Sequence, residues 1–282
     1  MKRHLFIIGC ISILFLSGTA NASTSKNISS PLFFDDDVPV WEVGDSWTYK
    51  VKNFTVDYSD TSISVFLHGI IEDFEWTVSS TGGSDYILDF TGKITADYTI
   101  YYNTGTNEIY LTGTFKPLLT RLAGTLVFTK SSLELKDIDA QIRGITMAVI
   151  DPLPFALPIP YKLDVSGNLD AVFPIIDFPI YNGKTWNSPS INIQMQATMG
   201  GPLGLISFPF TLMSSFPSWL IGCTDYTTIT VQGNTYDAYE IEPIIVTMFR
   251  LYYAPAVGNL VKIDAALTNG NLHADLISTT YS

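Results

Sequence analysis

The stretch Gly233–Ile263, GNTYDAYEIEPIIVTMFRLYYAPAVGNLVKI, decides how the rest of the chain is read. It holds two strands, a polar turn and a closing strand. The turn Gln232-Gly233-Asn234 leads into a strand over Thr235–Ile241. A second strand, Ile244–Tyr253, carries Val246, Met248 and Phe249 into the paired aromatics Tyr252 and Tyr253. Ala254-Pro255 breaks it, because proline has no N–H for the ladder. Gly258-Asn259 supplies a turn with positive φ, and Leu260–Ile263 restarts the strand. Nothing in this stretch is a catalytic constellation.

The same grammar extends outward. Trp47, Tyr49 and Val51 alternate with Thr48, Lys50 and Lys52, as a strand with one buried face requires. Phe74, Trp76 and Val78 alternate with Glu75 and Thr77. Ile94, Ala96, Tyr98, Ile100 and Tyr102 make the longest clean alternation, and Asn103–Asn107 turns it back into Ile109 and Leu111. Helical periodicity is scarce. The expected fold is therefore all-β: a large curved antiparallel sheet or half-open barrel with at most one or two short helices, placed near 205–222.

At the N-terminus, Lys2-Arg3-His4, the apolar run Leu5–Leu16 and Ala20-Asn21-Ala22 form an export signal with its cleavage site. The apolar run is short of the roughly 20 residues of a membrane span. Residues 1–22 are read as a signal peptide and 23–40 as a polar leader. Residues 41–180 form an N-terminal β half, and 181–282 a C-terminal half packed with it or continuing its sheet. The mature protein is expected outside the cytoplasm, secreted, extracellular or periplasmic.

Cleavage after Ala22 leaves 13 basic residues against 27 acidic ones, a net charge of −14. An acidic chain without basic clusters is a poor nucleic-acid binder and is expected to repel anionic lipid headgroups, so no nucleic-acid partner is expected. Charged residues are only 15% of the chain, where soluble domains carry about 25%. That deficit points to burial on both sides of the sheet, or to apolar surface with a use. Cys223 is the one cysteine left after cleavage, so no internal disulfide forms.

Two proline-rich apolar runs, Asp151–Pro160 and Phe173–Ile180, read as loops packed on the sheet. Gly44-Asp45-Ser46-Trp47 and Gly183-Lys184-Thr185-Trp186 form a weak internal repeat, each a glycine turn that delivers an indole to a strand. Leu205–Gly222 carries no charged residue, and Pro209 and Pro217 argue against a membrane helix, because each removes a backbone donor. It is either a strand pair or a short amphipathic or helical flap over the sheet, and it reads as core or as a movable lid hinged on Gly200, Gly201 and Gly204. His68 and His273 lack partners at metal-ligand spacing, and no nucleophile elbow, Walker loop or dinucleotide fingerprint is present. No enzyme activity, metal or cofactor is expected.

Tyr236-Asp237-Ala238-Tyr239, Tyr252–Lys262 and the earlier Phe178–Trp186 together resemble a pattern in secreted prokaryotic β-proteins of unknown function. Those proteins are similar to the lipoprotein-carrier superfamily. The resemblance spans about residues 178–263 and implies a curved sheet around an apolar interior. It carries over no catalytic residue.

Function is expected to be non-enzymatic, with an apolar ligand or lipid bound on the concave face of the sheet. The alternative is a structural or adhesive surface protein without a small ligand. For the carrier, Phe208, Phe210 and Leu212 would close over Tyr239, Met248 and Tyr252, whose aromatic and thioether groups adapt to irregular apolar shapes. Peripheral contact with a membrane or cell surface is the further partner expected.

Overall fold

The computed structural model describes residues 37–59, 63–103, 108–151, 155–200, 207–216, 218–245, 248–267 and 270–282. The signal peptide, most of the leader, and Gly201 and Gly204 lie outside the described residues. In chain order the strands are β1 Ser46–Ser59, β2 Ile63–Ser80, β3 Asp85–Asn103, β4 Glu108–Phe115 and β5 Thr120–Thr129. They continue with β6 Leu135–Ile150, β7 Ala156–Phe173, β8 Thr185–Ser188, β9 Ile191–Gly200 and β10 Ser207–Phe216. The last five are β11 Trp219–Val231, β12 Asn234–Pro243, β13 Phe249–Ala254, β14 Asn259–Leu267 and β15 Gly270–Thr279. Among the described residues the only helical turn is the 3-10 turn Pro255–Val257.

Several of these strands are halves of longer ones. β4 and β5 lie end to end, both pairing β3 on one side and β6 on the other. The break between them is Lys116–Leu119, where Pro117 interrupts the run. β8 and β9 likewise run end to end opposite β11 and β10: Ser188 faces Trp219, and Ile191 faces Phe216. With these halves joined, every strand pairs antiparallel with its neighbours in sequence. β15 returns to β1, and β9 to β7 over Tyr161–Val165. The order therefore closes on itself as a partial barrel. β8 has a single neighbour, so the seam is open at that end.

The two Gly-x-x-Trp turns are the same structure twice. The Gly44 N–H donates to Val78 O at 2.9 Å while the Val78 N–H donates to Asp45 O at 2.8 Å. The Gly183 N–H donates to Cys223 O and the Cys223 N–H to Lys184 O, both at 2.8 Å. Each turn closes three residues back, Asp45 N on Glu42 O and Lys184 N on Tyr181 O, both at 3.1 Å. Gly44 and Gly183 have φ of 100° and 87°, a conformation that glycine alone adopts without strain. After each turn an indole enters the core and a long hairpin begins: β1–β2 in one case, β8/β9 with β10/β11 in the other.

The interior is aromatic. Trp47, Tyr49, Phe74, Phe90, Phe249 and Tyr253 are all buried, and one continuous core runs from Trp41 to Leu276. Burying such a ring contributes about 2–3 kcal/mol. Trp41 lies 5.1 Å from Trp47 and 5.2 Å from Tyr86, ring centre to ring centre. The polar ends of the three N-terminal rings converge on the turn after β13. Trp41 Nε1 donates to Gly258 O at 3.0 Å, Trp47 Nε1 to Val257 O at 2.7 Å, and the Tyr49 hydroxyl to Leu260 O at 2.9 Å. Burial pushes the Tyr49 phenol well above its ordinary range. A gap of about 30 Å³ beside Trp76, Phe128 and Phe178 is the space left there, enough for a water or two.

Three expectations are corrected. The uncharged segment after residue 206 is strand, not helix: β10 and β11 continue a hairpin, and the alternation of Phe208, Phe210 and Leu212 has period two. The first proline run enters β7, with Pro158 opposite Met147 and Pro160 opposite Ile145. β9 joins β7 only from Tyr161 onward, so these prolines face a flank where a missing donor costs no ladder bond. The strand expected from Ile244 begins at Phe249. Ile244 and Ile245 are exposed, and the Ile244 N–H bonds back to Leu220 O.

Candidate functional site

The outer face of the C-terminal strands carries a charge ladder. Arg250 stands opposite Asp264, Asp264 opposite His273, and His273 opposite Asn53. One row along, Glu240 faces Tyr252, Tyr252 faces Lys262, and Lys262 faces Asp275. Side chains directly opposed on antiparallel strands share a face and interact. Arg250 bridges Glu240 at 2.8 Å and Glu242 at 3.1 Å, and Lys262 bridges Asp264 at 2.6 Å. The imidazole of His273 lies between two carboxylates, with Nδ1 on Asp264 and Nε2 3.4 Å from Asp275.

Asp275 is the buried member. Burial raises its carboxyl, but the Lys52 ammonium, the Gln232 amide at 2.8 Å and the nearby His273 outweigh that, holding it below the usual carboxylate range. The ladder thus neutralises a buried charge with partners on β1, on the turn after β11 and on β15 itself.

A cleft of about 430 Å³ opens over this ladder. Its lining includes Asn53, Met248, Arg250, Asp264 and His273, with Ala265 and Ala266 among the smaller residues. Asn53 Oδ1 is buried there and accepts no hydrogen bond from the described residues. The cleft can present a guanidinium, an imidazole and an amide oxygen to a small polar group. An imidazole held by Asp264 is one part of a catalytic triad, but its other nitrogen is turned to Asp275, not to a hydroxyl or thiol. That geometry serves charge compensation. Among the described residues no group of three His, Cys, Asp or Glu side chains is placed to hold a metal ion.

The residues expected to contact an apolar ligand do not form one surface. Tyr239 faces Tyr253 across β12 and β13, while Tyr252 faces Glu240, so Tyr239 and Tyr252 lie on opposite faces. Tyr239 is buried, its ring 4.5 Å from that of Tyr226. Tyr252 is covered by the Lys262 ammonium, 5.5 Å from its ring centre. Met248 lines the cleft beside Arg250 and packs against the core. Phe208, Phe210 and Leu212 stand opposite Met199, Ala197 and Met195 on β9. The strand order places β10 beside β9 and β7, and β12 and β13 beyond β11 and beside β14.

A second feature was missed in the sequence. On β6 the inward positions Ile142, Thr146 and Ala148 are buried, yet the outward positions Ile145, Met147 and Val149 are apolar too, 46%, 45% and 41% exposed. Pro160, Pro158 and Ala156 of β7 stand directly opposite these three. Tyr110 on β4 and Phe66 on β2 are exposed on the same face of the sheet. The signal was present as Ile145–Ile150, a run apolar at nearly every position, directly before the proline run Asp151–Pro160 that was read as loop.

No family model matches this chain, and neither a curated protein nor a solved structure does.

Proposed function

We propose that this chain is an exported, non-enzymatic β-protein that engages an apolar ligand or lipid through the half of its sheet containing β4, β6 and the start of β7. The observation that carries this reading is the second half of β6, where the outward residues Ile145, Met147 and Val149 are apolar and exposed. A strand with apolar residues pointing outward normally lies under a second layer, and no described residue covers these three side chains fully. The export signal and the low content of charge support the same reading. So does the resemblance of residues 178–263 to secreted prokaryotic β-proteins.

The interior at the tryptophan end is filled, which moves the expected contact away from the concave face there and onto the exposed strip. The filled interior also favours the second reading, a structural or adhesive surface protein. Native mass spectrometry of protein purified from its host, with uptake of an apolar fluorescent probe, separates the two. Co-purified lipid and probe uptake are the expected result. Absence of both overturns the lipid reading and leaves the structural one.

A further inference from the structure

A row of cations crosses the outer face beside the apolar strip. Lys93 on β3 stands opposite Arg121 on β5, Arg121 opposite Arg143 on β6, and Arg143 opposite Lys162 on β7. All four are exposed. The next outward residue along β6 is Ile145, followed by Met147, so the row borders the strip directly. Lys93 is paired with Asp73 and stands opposite the exposed Glu72 of β2, and Lys162 is paired with Asp164 at 2.7 Å. Arg121 and Arg143 have no ion pair among the described residues. Like charges directly opposite each other weaken a strand pair, and this sheet sets three such pairs in succession. The chain has 15 basic residues in all, and four of them stand in this one line.

We propose that this strip is where the protein lies on a bilayer containing anionic lipid. Ile145, Met147 and Val149 would enter the boundary between headgroups and acyl chains, while Arg121 and Arg143 pair with lipid phosphates. Apolar side chains bordered by cations suit that boundary, and exposed aromatics such as Tyr110 and Phe66 sit well at headgroup depth. Arginine meets phosphate through two parallel N–H donors. The same face carries the exposed Asp97, opposite Thr114 in the row of Met147, so the attraction rests on Arg121 and Arg143, which have no ion pair among the described residues. At physiological salt, charges more than about 8 Å from the surface are largely screened, so the residues nearest the headgroups decide. This proposal rests on the reading that this half of the sheet meets lipid, and it adds the class of lipid and the groups that select it.

The test is flotation with vesicles of phosphatidylcholine alone and of phosphatidylcholine with phosphatidylglycerol as the minor component, each at low and high salt. The wild type is expected to prefer the mixed vesicles, and to lose that preference at high salt. Arg121→Gln with Arg143→Gln should lower partition onto the mixed vesicles by about tenfold or more, leaving binding to the neutral ones unchanged. Ile145→Ser with Met147→Ser should weaken binding to both. All four side chains are exposed, so the variants should keep the β-type circular dichroism of the wild type. Equal binding to both vesicle types, unchanged by the arginine substitutions, overturns the proposal and leaves the lipid reading standing. Absence of binding to either, with no uptake of an apolar probe, overturns both. A concentration-dependent dimer that Ile145→Ser with Met147→Ser dissociates, without vesicle binding, assigns the strip to a second copy of the chain and overturns the proposal.

Discussion

The indole nitrogen of Trp47 donates to the carbonyl of Val257 at 2.7 Å, joining the first residues of β1 to the turn after β13 across 210 residues of chain. Trp41 and Tyr49 bond to Gly258 and Leu260 of the same turn. A backbone turn that leaves the ladder exposes carbonyls that need donors. The N-terminal rings supply them. This explains why a short stretch around Pro255 organises both ends of the chain.

The two Gly-x-x-Trp turns provide an internal control for that claim. Trp47 has its donor satisfied, whereas Trp186 Nε1 is buried with no hydrogen-bond partner among the described residues. Trp47→Phe should cost about 2–4 kcal/mol, since it leaves a void and orphans the Val257 carbonyl. Trp186→Phe should cost about 1–2 kcal/mol, because the donor it removes was already unsatisfied. Urea unfolding of the two variants measures the difference. Equal costs would show that the bond to the turn contributes little.

Asp275 gives a pH signature. Its carboxyl is held below the usual range in the folded protein, so the unfolded chain binds its proton more readily. The stabilisation it contributes is therefore fully present above the unfolded carboxylate value of about 4, and it is lost as pH falls through the folded value. Asp275→Asn leaves the Lys52 ammonium without its partner and should cost about 1–3 kcal/mol at neutral pH. Unfolding curves taken from pH 7 down to about pH 3 should show the gap between wild type and variant narrowing. A gap independent of pH would mean that packing, not charge, is what the substitution removes.

Much of this architecture was legible from alternation alone. Trp47, Tyr49, Val51, Phe74 and Val78 were read as one buried face, and all are buried. The break at Ala254-Pro255 and the left-handed Gly258, with φ of 60°, were read from residue type. Register was not legible. Tyr239 and Tyr252 both belong to aromatic-rich strands, and only the pairing of Tyr239 with Tyr253 shows that they face apart. Lys93, Arg121, Arg143 and Lys162 are scattered from β3 to β7, and no local pattern joins them. Ile145–Val149 lacks the polar alternation by which a strand is recognised, because both of its faces are apolar.

Cys223 should behave as a small apolar side chain. It is 1% exposed, and burial pushes its thiol up to about 12. The thiolate is the reactive species, so neither access nor ionisation favours attack. An aromatic disulfide reagent at pH 8 should label the native protein hardly at all and the urea-unfolded protein at once. Rapid labelling of the native state would show that the hairpin of β11 opens locally.

The glycines beneath aromatic rings set how tightly the sheet can curve. Gly124 on β5 stands opposite Phe90 of β3 and Ala140 of β6. A β-carbon there would come within 2.1 Å of the Asp139 carbonyl oxygen and 2.4 Å of the Phe90 ring. Neither is the free end of a flexible side chain, so the backbone of β6 must move to admit it. Overpacking of this kind costs about 1–3 kcal/mol, and the contact with main chain places Gly124→Ala at the upper end. Gly83→Ala serves as the comparison: open space surrounds its added carbon, and its cost comes from the φ of 66° alone, about 1 kcal/mol. Thermal unfolding of both should rank Gly124→Ala as the more damaging. The reverse order would show that the sheet flattens freely at β5, and that ring-over-glycine packing does not fix its curvature.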